Sequence, residues 1–146
     1  MSQINRGTLP PNSQRNGVNI LLLSDNFPGN RFLPKITEKA KEMGHTLALL
    51  ETQPLKLLPE EERFAYVIDK ASGVDVVLPR SKKEPSLLAL EVLENLGLPT
   101  LNPSFAIRTA KDQLKTLFTF DRYNLPVPKT GFITKKNETF NQLAIS

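Results

Sequence analysis

Apolar runs and amphipathic stretches alternate along this chain from Val18 onward. "VNILLLS" is a short, partly β-branched apolar run closed by turn residues, which predicts a strand buried on both faces of a parallel sheet. "NRFLPKITEKAKEMG" then places Phe32, Ile36, Ala40 and Met43 at helical spacing with lysines opposite, and Gly44 supplies a stop. "TLALLE" predicts a second strand, which completes a βαβ unit with a right-handed crossover. The pattern then repeats. "PEEERFAYVIDKASG" predicts a helix with acidic residues in its first turn, where the helix dipole favours them, and "VDVVLP" a third strand. "PSLLALEVLENLG" predicts a third helix opened by Pro85 and closed by Gly97, and "LPTLN" a short fourth strand. Strands alternating with helices in this way predict an α/β fold with an open, mostly parallel, Rossmann-like sheet.

From Asn102 the pattern changes. "NPSFAIRTA" offers Asn102 as an N-cap with Pro103 at the first helical position, and the helix that follows carries Leu114, Leu117, Phe118 and Leu125 on one stripe. "LPVPKT" stops that helix and forces an extended path, because a residue before proline avoids the helical region. "TGFIT" reads as a strand and "ETFNQLAIS" as the first turns of another helix. The expected organisation is a flexible leader over 1–17, a Rossmann-like unit over 18–101, connecting helices over 102–125 and the beginning of a further subdomain over 126–146.

Hydrophobic residues make up 39% of the 146 residues and charged residues 23%, so a packed core is expected rather than a disordered chain. The formal charge of +4 favours phosphate-bearing ligands, yet there is no polybasic run, and nucleic acid is not expected as a partner. Cysteine is absent, which excludes disulfides, thiolate metal sites and cysteine nucleophiles. No stretch has the length of a signal-peptide core or a membrane span, so a cytoplasmic protein without membrane association is expected.

In an open parallel sheet, ligands sit beyond the carboxyl ends of the strands. The segments there are "SDNFPGN", "ETQP", "PRSKK" and "NPS". The first has a single glycine, which matches neither the dinucleotide fingerprint nor the phosphate-cradling P-loop. "PRSKK" gathers Arg80, Lys82 and Lys83 at a strand end, either to meet a carboxylate or phosphate or as solvated loop cations. His45, the one histidine, sits at a turn and reads as structural; Asp25 and Asp75 read as turn and strand-entry residues. Arg108, Lys111 and Lys115 share a face if their helix is continuous, which makes either a phosphate-covering surface or the wet side of an amphipathic helix.

The order "ILLLS", "EMGHTLALLE", "VDVVLPR", "LENLGLPTLNPSFAIRTAKDQLKTLFTF" and "NLPVPKTG" resembles the N-terminal part of ATP-grasp ligases. The likeness is greatest to RimK-like ribosomal-protein glutamate ligases and their glutathione-synthetase-like relatives, over residues 18–131. The resemblance implies a Rossmann-like pre-ATP-grasp domain followed by ATP-grasp subdomains. Family members use ATP and Mg2+ to convert a carboxylate to an acyl phosphate, which an amine then attacks to form an amide. It further implies that Arg80, Asn102 and Ser104 bind substrate and that Lys111, Gln113 and Lys115 lie toward the nucleotide. Many members carry lysine where Gln113 stands; glutamine can hydrogen-bond there but brings no charge. The second nucleotide lysine, the glycine-rich loop and the acidic magnesium ligands fall after Ser146 in the family pattern. No catalytic or metal-binding residue is therefore expected within the chain, nor tightly bound ATP or Mg2+, and the chain is expected to be a fragment or a split remnant. The implied partners are small-molecule or peptide carboxylates and amines, one of them glutamate, with homo-oligomerisation compatible. The alternative expectation is a non-catalytic Rossmann-like module that binds an anionic small molecule or protein through Arg80, Lys82 and the basic helix.

Overall fold

The computed structural model describes residues 17–28 and 30–130. Three parallel strands, β1 (Asn19–Ser24), β2 (Thr46–Glu51) and β3 (Val76–Pro79), form a sheet of order β2-β1-β3. Asn19 is in register with Thr46 on one side, and Ile20 with Val76 on the other. Between the strands run α1 (Leu33–Glu42) and α2 (Glu60–Lys70); α3 (Glu84–Asn95), α4 (Ser104–Lys111) and α5 (Gln113–Arg122) follow. The expected open, parallel, Rossmann-like α/β architecture is thus the observed one. The chain forms two compact units, one through Lys111 and the other from Asp112.

The central position of β1 follows from its composition. Leu21, Leu22 and Leu23 are completely buried, as a strand covered on both faces requires, whereas edge strand β2 buries only Leu50. Leu21 and Leu23 point to one face by the twofold alternation of a strand and join Leu50, Val67, Val77, Ala89, Leu90 and Leu93 in the main core. Val67 comes from α2 and the last three residues from α3, so these helices dock through their apolar stripes.

Helix ends follow the residue chemistry. Glu60, Glu61 and Glu62 occupy the first turn of α2, and Pro85 the first turn of α3. Gly44 and Gly97 close α1 and α3 at φ 77° and 81°, a left-handed conformation that costs a glycine little. Gly17 has a different reason: a side chain there would run into the Gly44 carbonyl.

Several expectations change. The fourth strand is reduced to one parallel bridge between Val77 and Thr100, because only Val77 N–H to Pro99 O and Leu101 N–H to Val77 O form before Asn102 turns to φ 74°. That turn also removes Asn102 as the cap of α4, whose first helical residue is Ser104. Of the four apolar positions assigned to α1 only Ala40 is buried; Phe32 and Met43 flank the helix and are more than half exposed. The basic helix is interrupted. Asp112 leaves the helical region at ψ 108° and caps α5 through Leu114 N–H and Lys115 N–H, so Arg108 and Lys111 belong to one helix and Lys115 to the next. α5 ends at Arg122, which leaves Leu125 outside its stripe. The leader up to Asn16, the "TGFIT" strand beyond Thr130 and the final helix lie outside the described residues.

Candidate functional site

The strand order fixes where a ligand belongs. From β1 the chain moves outward to β2, then crosses back to β3 on the other side, so the connections diverge between β1 and β3. In open α/β sheets, the crevice beyond the carboxyl ends of two such strands is the ligand position. Asp25 follows β1 directly, and Arg80, Lys82 and Lys83 follow β3. The backbone N–H of Arg80 bonds Leu23 O at 2.7 Å, which carries the β1–β3 pairing to the rim.

Two polar links tie this rim together. Lys83 Nζ lies 2.6 Å from Asp25 Oδ2; the Asp25 side chain is 7% exposed and that of Lys83 64%. Asp25 Oδ1 is buried and has no hydrogen-bond partner. The second link joins the end of β2 to the first turn of α3: the hydroxyls of buried Thr52 and Ser86 stand 2.7 Å apart, and Thr52 also donates to Ser24 O. Both serve the same rim.

Arg80 turns outward, with its guanidinium carbon 5.9 Å from the centre of the Phe32 ring. Together with Lys35, Ile36 and Lys39 these residues line an open groove of about 530 Å³. Its cations and apolar floor suit an anionic group carried on a hydrocarbon stem. A second groove, about 540 Å³ and mostly apolar, lies between α2 and α3 with Phe64, Val67, Leu88 and Val92 among its walls.

Ser104 and Asn102 stand further along. Ser104 donates both its N–H (2.7 Å) and its hydroxyl (2.6 Å) to the Glu94 carboxylate, which also accepts from the Thr100 hydroxyl at 3.3 Å. Glu94 therefore supplies to α4 the capping that the local sequence does not. The basic residues of α4 face α3: Arg108 reaches Glu84 at 2.5 Å and Glu91 at 2.9 Å, and Lys111 Nζ is 3.7 Å from Glu84. Gln113 and Lys115 occupy the exposed first turn of α5. His45 Nδ1 accepts from Val18 N–H, and Asp75, at the opposite edge of the sheet from Asp25, accepts from Asn19 N–H. These are the expected structural roles.

The hydrogen bond from Arg108 holds the Glu84 carboxyl below the usual glutamate range; it outweighs the opposing effect of burial, and the charges of Arg108 and Lys111 add smaller contributions in the same direction. A carboxyl whose pKa is depressed on folding adds stability above its unfolded value and loses it as pH falls through the folded one. The thermal-midpoint difference between the parent protein and Arg108→Ala is therefore expected to be largest near neutrality and to shrink through the acidic range. Melts at a series of pH values check this, and a pH-independent difference would refute it.

Among the described residues, no group of three or more His, Cys, Asp or Glu is placed to hold a metal ion, and no helix is long and apolar enough to cross a membrane.

Comparison with known proteins adds to this geometry. No family model matches the chain. A protein of Methanococcoides burtonii named "Probable alpha-L-glutamate ligase" is 27% identical over 109 residues, which is 71% of this chain and 36% of that protein. This chain is similar to probable alpha-L-glutamate ligases. Proteins of the same name from Parasynechococcus marenigrum and Pseudomonas aeruginosa are 26% and 27% identical over 89% and 67% of the chain. The chain spans about a third of the length of these ligase-like relatives. The resemblance to RimK-like ATP-grasp ligases is borne out at this level.

Proposed function

We propose that this chain is the N-terminal portion of an ATP-dependent carboxylate–amine ligase of the RimK-like class. The observation that carries the reading is that a Rossmann-like sheet, with a cationic groove at its carboxyl edge, coincides with similarity to ligase-named proteins over most of the chain. In this reading the unit through Lys111 holds substrate, and the remainder of the longer protein holds ATP and Mg2+. The ligase would join a carboxylate, activated as an acyl phosphate, to an amine, with glutamate as one partner and the cytoplasm as its compartment.

The residues divide accordingly. Arg80, backed by Phe32 and neighboured by Lys35 and Lys39, would hold a substrate carboxylate. Asn102 would present its backbone from a left-handed turn, and Ser104 would act by anchoring that turn to Glu94. Gln113 and Lys115, at the exposed start of α5, would face the nucleotide, while Lys111 is drawn toward Glu84. This part of the protein contributes binding and orientation, which in phosphoryl and acyl transfer is a large share of catalysis.

The test is to read the coding sequence downstream of Ser146, express the whole protein and measure phosphate release with ATP, Mg2+ and L-glutamate. Substrate-dependent release by the whole protein, with none by residues 1–146 alone, is the expected result. A downstream sequence without a lysine-bearing strand, a glycine-rich loop and late acidic residues refutes the reading.

A further inference from the structure

We propose that the groove between α2 and α3 docks a second copy of this chain, in a twofold pairing that sets Glu60 of each copy against Lys56 and Arg63 of the other. The proposal is independent of the ligase reading. Val67 of α2 and Ala89 of α3, each 2% exposed, form the floor of the groove, while Phe64 and Leu88, one from each helix, are more than half exposed. Leu57, next to the groove residue Lys56, is 89% exposed. One exposed leucine is ordinary, but three large apolar side chains around a single groove make a patch of the kind that marks an interaction surface. A small ligand would leave Phe64 and Leu88 partly in water; a protein face covers them.

The rim identifies the occupant. Lys56, Glu60 and Arg63 line the same groove, and none of the three is in an ion pair among the described residues. Arg63 Nε donates to Leu58 O at 3.0 Å, and the remainder of its fork is available to a partner. The charges that α3 shares with α4 are, by contrast, matched within the chain. A rim with both signs is complementary to neither an acidic nor a basic peptide, and Glu60, Glu61 and Glu62 in the first turn of α2 repel an anionic lipid surface. It is complementary to itself. A twofold axis brings the same patch together from both sides, so each Glu60 to Arg63 contact is made twice and Leu57 of each copy seats against the apolar face of the other. Two helices about 17 Å long and about 8–10 Å apart offer roughly 500 Å² per copy, the low end of specific interfaces, so a Kd of about 10–100 µM is expected.

Sedimentation velocity of the 146-residue chain over about 1–500 µM tests this, with a monomer–dimer equilibrium that weakens on adding salt as the expected result. Glu60→Arg and Arg63→Glu each place like charges face to face twice, and each is expected to weaken self-association at least about tenfold. An equimolar mixture of the two variants is expected to restore it, because both facing pairs of positions 60 and 63 are then of opposite sign. Phe105→Ser, at a side chain 71% exposed on α4, is expected to leave the equilibrium unchanged. In the parent protein the Leu57 and Leu88 methyl resonances are expected to shift with concentration, a readout that needs no variant. A chain that stays monomeric throughout, single variants that associate as the parent does, a mixture that stays monomeric, or concentration-dependent shifts that spare Leu57 and Leu88 overturns the proposal.

Discussion

Glu94→Ala is expected to destabilise the unit through Lys111 by about 2–4 kcal/mol. The carboxylate accepts from the Ser104 N–H, the Ser104 hydroxyl and the Thr100 hydroxyl. Ser104 is 6% exposed, so truncation leaves its two donors without water to replace the lost acceptor. An unmet buried polar group costs about 1–3 kcal/mol, and the exposed part of Glu94 limits the sum. A paired substitution separates this cause from a general loss of packing. In Glu94→Ala/Ser104→Ala the orphaned hydroxyl is gone, so the double variant is expected to lose less than the two single losses added together. Urea unfolding of all four proteins measures the coupling; strict additivity would show that the carboxylate is not the anchor of α4.

Leu90→Ala is the second large effect, at about 2–5 kcal/mol. Leu90 is fully buried on α3, in the cluster that also holds Leu21 and Leu23 of β1 and Val67 of α2. Removing its branched end takes away both the transfer energy and the contacts of its neighbours, and the strands beneath cannot follow because they are held in register. Against a total of about 5–15 kcal/mol for a domain, the urea midpoint is expected to fall by about 1–2 M with little change in slope. Leu88→Ala is the internal control. Leu88 is 53% exposed on the same helix, and its loss is expected to stay below about 1 kcal/mol. Equal losses at the two positions would mean that α3 docks through a different face.

The helices and strands through Asn95 were legible because local and tertiary preferences agree there. The triple leucine of β1 has no amphipathic period, and only a strand covered on both faces accommodates that. Pro85 and Gly97 mark α3 for reasons internal to the backbone. After Asn95 that agreement lapses. "LPTLN" has strand composition but yields one bridge, because the positive φ of Asn102 ends the pairing, and "RTAKDQLK" has unbroken helical spacing although Asp112 caps a new helix inside it. An aspartate in a helical pattern reads equally as a surface residue or as a cap, and only the backbone angle distinguishes the two.

The candidate site divides in the same way. Residue types and spacing were enough to establish the α/β class, the parallel order of elements, the cations at the end of β3 and the likeness to ligases, because each depends on periodicity or on a contiguous string. That Asp25 meets Lys83 across 58 positions, that Glu94 caps α4, and that Arg108 and Lys111 spend their charge on α3 depended on the fold. Such contacts join residues distant in the chain, and their strength comes from burial and from distances of a few ångströms. A one-dimensional pattern carries neither quantity until the sheet has brought the strand ends together.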